Sequence, residues 1–167
     1  MTQVYIPATL AMLQKLVADG SLWPVNGTAF AVTPSLRESY AQGDDDELAE
    51  VALREAALAS LRLLAVEPSD STLPPRRAVL AADVDDVKHR PDLDDAAVRL
   101  SAPVSIAQVI AAYVDNAAAE PAVTAAIAVI DDADLGDEDA ELIVGDAEDH
   151  DLAWYATQEL PFLLDLL

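Results

Sequence analysis

Short strand-like runs alternate with helix-like runs along the whole chain, and that order restricts the fold more than any single motif does. Gln3 to Pro7 (QVYIP), Thr28 to Thr33 (TAFAVT) and Ala78 to Val84 (AVLAADV) combine β-branched, aromatic and alternating apolar residues, the pattern of strands. Ala97 to Ala102 (AVRLSA) and Leu152 to Ala156 (LAWYA) add two more. Between them, Leu10, Leu13, Leu16 and Val17 recur at helical spacing after Thr9, a capping residue, and Gly20 supplies the stop. Pro34 and Ser35 open a short helical turn through Tyr40, ended by Gly43. Glu47 to Ala65 is the strongest helical pattern, and Asp44 to Asp46 precede it where the helix dipole favours acids.

Glu120 to Ile130 reads as a helix with Pro121 in its first turn, where the missing N–H costs little. Asp137 to Ala147 follows, with Ala140, Ile143, Val144 and Ala147 on one face. Gln158 to Leu167 is a closing helix without a cap, which must dock its leucines to persist. Ser105 to Val114 has two readings, a helix capped by Ser105 or a single turn followed by a strand; its β-branched residues favour the second. Leu22 to Gly27, Glu67 to Pro75 and Asp85 to Asp95 read as loops or polar connections.

This order predicts an α/β protein, with α+β as the alternative: one mixed sheet of about five to six short strands with helices packed on it. At 167 residues a single domain spanning 1–167 is expected. That length buries roughly 70% of the unfolded surface. Alanine supplies 33 residues of the apolar fraction, yet the remaining apolar side chains still suit a globular core.

Charge is distributed unevenly. Residues 1–99 hold 16 acids and all nine cations, net −7; residues 100–167 hold 15 acids and no cation, net −15, giving −22 in total. Such acidity disfavours direct binding to nucleic acid or an anionic membrane, which need a cationic surface. The excess of Asp over Glu, 21 to 10, and of Arg over Lys, 7 to 2, fits codon bias in a GC-rich genome better than adaptation to high salt. No run approaches 18 apolar residues and no basic leader opens the chain, so a cytoplasmic protein is expected. With no cysteine, disulfides, thiol nucleophiles and Cys-held metals are excluded.

The densest acidic stretch is DDADLGDEDAELIVGDAEDHD, from Asp131 to Asp151. Runs of this kind are usually solvated faces, but Leu142, Ile143 and Val144 interrupt this one and require packing. Asp44 to Asp46 explain themselves as helix-start acids, whereas those from 131 to 151 have no evident local cause. A calcium loop fails there, because Ala133 and Leu135 fall on ligand positions, or Gly136 falls one residue early. The segment Asp83 to Asp95 (DVDDVKHRPDLDD) offers His89 among carboxylates, but Lys88 and Arg90 flank it and no ligand spacing is met, so no metal is expected. Five dispersed glycines form no phosphate-cradling loop, and no cofactor is expected.

VYIPAT (4–9), AFAVTPSLRESY (29–40), RRAVLAADV (76–84) and WYATQELP (154–161) together resemble a family of small acidic actinobacterial proteins of unknown function. The resemblance implies an actinobacterial cytosol and carries over no active residue.

Three functional readings follow. The first is a non-enzymatic binding or regulatory protein that engages a basic protein through its acidic C-terminal half, with Asp131, Asp132, Asp134, Asp137, Glu138, Asp139 and Glu141 as the contact. Inhibition of a basic protein by imitating nucleic-acid charge is a variant of it. The second is a small-molecule enzyme with a pocket at strand ends, where Asp83, His150 and Trp154 would converge. The third is a homodimer formed through an uncovered sheet face or the leucines from Leu160 to Leu167. On strand 152–156, Trp154 and Tyr155 must point to opposite faces, so one is expected in the core and the other there too or over a pocket or interface.

Overall fold

The computed structural model of the chain describes residues 2–40, 42–67 and 72–167. Among the described residues seven strands make one sheet: β1 (Thr2–Ala8), β3 (Thr28–Phe30), β4 (Ala78–Val84), β5 (Val87–His89), β6 (Ala97–Leu100), β8 (Val109–Val114) and β9 (Ala153–Ala156). A separate ladder pairs β2 (Ser21–Leu22) with β7 (Val104–Ser105). The large sheet runs in the order β5-β6-β3-β1-β4-β8-β9. Among the described residues six helices accompany it: α1 (Leu10–Asp19), α2 (Pro34–Ser39), α3 (Asp45–Ala65), α4 (Glu120–Asp134), α5 (Glu138–Glu148) and α6 (Leu160–Asp165).

Among the described residues every strand pair is antiparallel, which corrects the expected mixed sheet. Between β8 and β9 the reason is visible in the connection. A single crossover helix would return the next strand parallel, whereas the pair α4 and α5 brings the chain back to the end it left. The sheet also has seven strands rather than five or six. The additional one, β5, lies in the stretch read as a polar connection, because Val87 is its only apolar residue and pairing with β6 holds it.

Ser105 to Val114 takes the second of its two readings, a 3-10 turn at Ile106–Gln108 leading into β8. The closing helix is shorter than 158–167, because a 3-10 turn occupies Thr157–Glu159 before α6. Of the expected loop 67–75, residues 68–71 lie outside the described residues.

Side chains alternate across the central strands, and both faces are covered. Val4, Ile6, Leu80 and Ala82 meet Leu10, Leu13 and Leu16 of α1 and Leu160 and Leu163 of α6. Tyr5, Phe30, Val79 and Ala81 on the opposite face meet Leu48, Ala52 and Ala56 of α3. Burial on both faces explains why β1 and β4 read as nearly continuous apolar runs. A third cluster joins Leu61 and Leu64 of α3 to Val123 and Ile130 of α4 and Val144 of α5. Each fully buried leucine among these contributes about 1.5–3 kcal/mol relative to exposure.

Helix starts follow the capping residues. Thr9 Oγ1 accepts from the Met12 N–H at 3.2 Å, Thr33 Oγ1 from Leu36 at 3.1 Å and Asp44 Oδ1 from Glu47 at 2.9 Å. Gly20 ends α1 at φ +78°, a left-handed conformation that glycine adopts without steric cost.

Candidate functional site

The acidic stretch folds into the helical hairpin α4–α5, which divides its charges between two helix ends. Asp131, Asp132 and Asp134 sit in the last turn of α4, where the dipole disfavours them. Asp134 is relieved by Arg62 of α3 through a bidentate pair, Nε to Oδ2 at 3.0 Å and Nη2 to Oδ1 at 2.9 Å. Those hydrogen bonds, with burial working against them, hold the Asp134 carboxyl below the usual range. Asp137 caps α5 by accepting from the Ala140 N–H at 3.0 Å, and Glu138, Asp139 and Glu141 occupy its first turn. Part of the acidity therefore has a local cause after all: four of these acids start a helix, as Asp44 to Asp46 do.

Arginines from the N-terminal part also reach other C-terminal acids. Arg76 pairs with Glu120 at 2.9 Å and Arg77 with Asp115 at 2.8 Å. With Arg62–Asp134, these pairs fasten the cation-free region to the rest of the chain.

The packing of α5 determines what its outer face presents. Ala140, Val144 and Ala147 turn inward. Leu142, on the other side, is 70% exposed, and Leu135 in the hairpin turn is 87% exposed. Glu138 and Asp139 lie one turn before Leu142 and Asp146 one turn after it, so acids surround it on the helix surface.

A cleft of about 490 Å³ opens between α3 and the segment leading into β9. Leu53 and Leu152 form apolar wall, Arg77 lies inside, and Glu148, Asp149, His150 and Asp151 line the rim. Arg77 donates through Nη2 to the His150 carbonyl oxygen at 2.8 Å, which positions the rim segment.

The residues expected to form an enzyme pocket do not all meet. His150 lines the cleft, while Trp154 is 58% exposed on the edge strand β9. Asp83 lies elsewhere: Trp154 aligns through Tyr113 with Val79, four residues before Asp83 on β4. At about 3.3 Å per residue that is about 13 Å along the strand, with two strand spacings in addition. Tyr155 packs against the α1-side core, so of the aromatic pair one turns inward and the other faces out. His89 is exposed, and among the described residues no three His, Asp or Glu side chains gather as metal ligands.

Arg77 and Asp115 escaped the sequence reading. The available signal was Asp115 itself, a lone acid closing the apolar stretch that ends β8.

Together these features describe an α/β protein with a wholly antiparallel sheet, helices on both faces, an acidic helical hairpin and a polar cleft beside one sheet edge. The chain belongs to a family of unknown function (DUF6912), whose model matches residues 2–164. No curated protein and no solved structure matches it. Among the described residues no helix is long and apolar enough to cross a membrane.

Proposed function

We propose that the chain is a non-enzymatic binding protein that engages a basic protein partner through the outer face of the α4–α5 hairpin. The observation that carries this reading is Leu142, an exposed leucine ringed by Glu138, Asp139 and Asp146 on a helix whose other face is fully used in packing. Capping and pairing account for Asp137 and Asp134, but they do not account for an apolar side chain left in solvent among acids. Acids of this kind steer a basic surface and fix its register, and burial of the leucine adds about 1.5–3 kcal/mol.

The test compares the wild-type chain with E138K/D139K and L142S for retention of one captured basic protein. Retention by wild type that disappears in each variant, and at about 1 M salt where screening acts beyond about 3 Å, is expected. Equal retention by the variants, or indifference to salt, overturns the proposal. Displacement of the captured protein by duplex DNA would identify the face as an imitation of nucleic-acid charge, with the same residues in contact.

A further inference from the structure

Nine cations face 31 carboxylates in this chain, so most guanidinium groups find one. Arg37, Arg54, Arg62, Arg76, Arg77 and Arg90 are each paired with an acid. Lys15, Lys88 and Arg99 form no ion pair among the described residues, and the last two are neighbours. Lys88 on β5 stands directly across from Arg99 on β6, and Arg99 across from Thr28 on β3. Val87, Val98, Leu100 and Ala29 pack into the α1-side core, so Lys88, Arg99 and Thr28 all point to the other face of the sheet.

This row is electrostatically unfavourable as it stands. Directly opposed side chains have Cβ atoms about 4.5–5.5 Å apart, and like charges there repel. Arg99 Nε is shut off from solvent and has no acceptor. A buried donor in that condition costs about 1–3 kcal/mol. Asp92 feels the charge of Arg99, but its oxygens are held by Arg90 at 2.9 and 2.7 Å.

We propose that Thr28, Arg99 and Lys88 form a binding site for a phosphate group. A tetrahedral oxyanion presents acceptors in several directions, so it can take guanidinium, ammonium and hydroxyl donors from one row together. It accepts from the terminal guanidinium N–H groups of Arg99 and from the Lys88 ammonium, and so offsets the repulsion between them. The ligand is a small anion rather than a nucleic acid, because a net charge of −22 repels a polyanion. A small anion responds to the local pair, since charges beyond about 8 Å are screened in physiological salt. The acids around β9 are remote from the row: β5 and β9 are opposite edges of the sheet, six spacings or about 29 Å apart.

The full-length chain is titrated with inorganic phosphate, and separately with phenyl phosphate, while backbone amide NMR shifts are followed at constant ionic strength. Saturable shifts confined to Thr28, Lys88, Arg99 and their strand neighbours are expected. Binding should weaken by about tenfold or more in R99Q and in K88Q, as when a charge-assisted hydrogen bond is lost. If R99Q does not fold, K88Q and T28V carry the comparison. Tighter binding of phenyl phosphate makes a phosphorylated small molecule the source, whereas equal binding makes it free phosphate. Shifts that fail to saturate, spread over the chain, or persist unchanged in the variants overturn the site.

Discussion

Arg77 and Asp115 form a buried bidentate ion pair at the floor of the cleft, with side chains 3% and 0% exposed. Arg77 Nε and Nη2 donate to Asp115 Oδ2 and Oδ1, each at 2.8 Å. The backbones reinforce the pair: the Arg77 N–H donates to Oδ2 at 2.9 Å, and the Asp115 N–H to the Arg77 carbonyl oxygen at 3.1 Å. The residue before β4 is thereby locked to the residue after β8, and through His150 to the segment entering β9.

Removing one partner should therefore be much worse than removing both. D115A leaves a guanidinium buried without its counter-charge and is expected to cost about 3–5 kcal/mol, read as a lower urea midpoint. R77M/D115L replaces both ions with apolar groups and should lose less than D115A alone. A D115A midpoint equal to wild type would mean that water reaches Arg77 easily.

Stability should rise with pH through Asp134. Its folded pKa is depressed by Arg62, so its contribution is present above the unfolded value of about 3.9 and is lost as pH falls through the folded one. D134N is expected to lower the thermal midpoint near pH 7 and to lower it progressively less as pH falls below the unfolded value. A loss that does not change with pH would point to packing rather than charge.

Glu55 should act in the opposite sense. Burial first, and the charge of Asp94 second, raise its folded pKa. The folded state thus binds the proton more tightly than the unfolded chain, and a penalty grows as pH rises from about 4.3 through the folded value. E55Q is expected to be more stable than wild type near pH 7 and equal to it near pH 3. A destabilised E55Q at neutral pH would reveal a favourable role for the carboxylate.

The fold was largely legible because its elements are locally encoded. Thr9, Gly20 and Asp44 mark helix ends through their own hydrogen bonds or conformation, and β1 and β4 announce themselves by burial on both faces. Strand direction was not legible, since the two helices between β8 and β9 could be read from the sequence but not where they return the chain. Nor was β5, a strand held by its neighbour's backbone rather than by its own apolar residues. The site was less accessible still. Arg77 and Asp115 are 38 positions apart, and nothing local to either says that they meet. Asp83, chosen because it nearly closes a buried strand, pairs instead with Gln3 at the end away from the cleft.

The acids that start α5 are the part of the charge run with a local explanation, and that explanation can be measured. Asp137 Oδ1 satisfies the Ala140 N–H, one of the donors left without a partner inside the helix. D137A is expected to cost about 1 kcal/mol, a thermal shift of about 2–4 °C in a chain of this size. D139A, which removes an acid from the same turn without removing the cap, should cost about 0.3–1 kcal/mol at low salt and less at high salt.

At the other end of the chain, α6 has six residues, too short to hold itself together in water. Its stability must come from Leu160 and Leu163, buried against Leu13 and Leu16 of α1, while Leu166 is left 85% exposed. L160A is accordingly expected to cost about 2–5 kcal/mol, as a large-to-small change in a filled core, and L166A to stay within about 0.5 kcal/mol of wild type. Urea denaturation of both variants at two protein concentrations separates docking within the chain from pairing between copies. Leu160 should behave identically at each concentration. A concentration-dependent loss in L166A would instead show that a second copy covers the outer side of α6, because only an intermolecular contact gives a midpoint that moves with concentration.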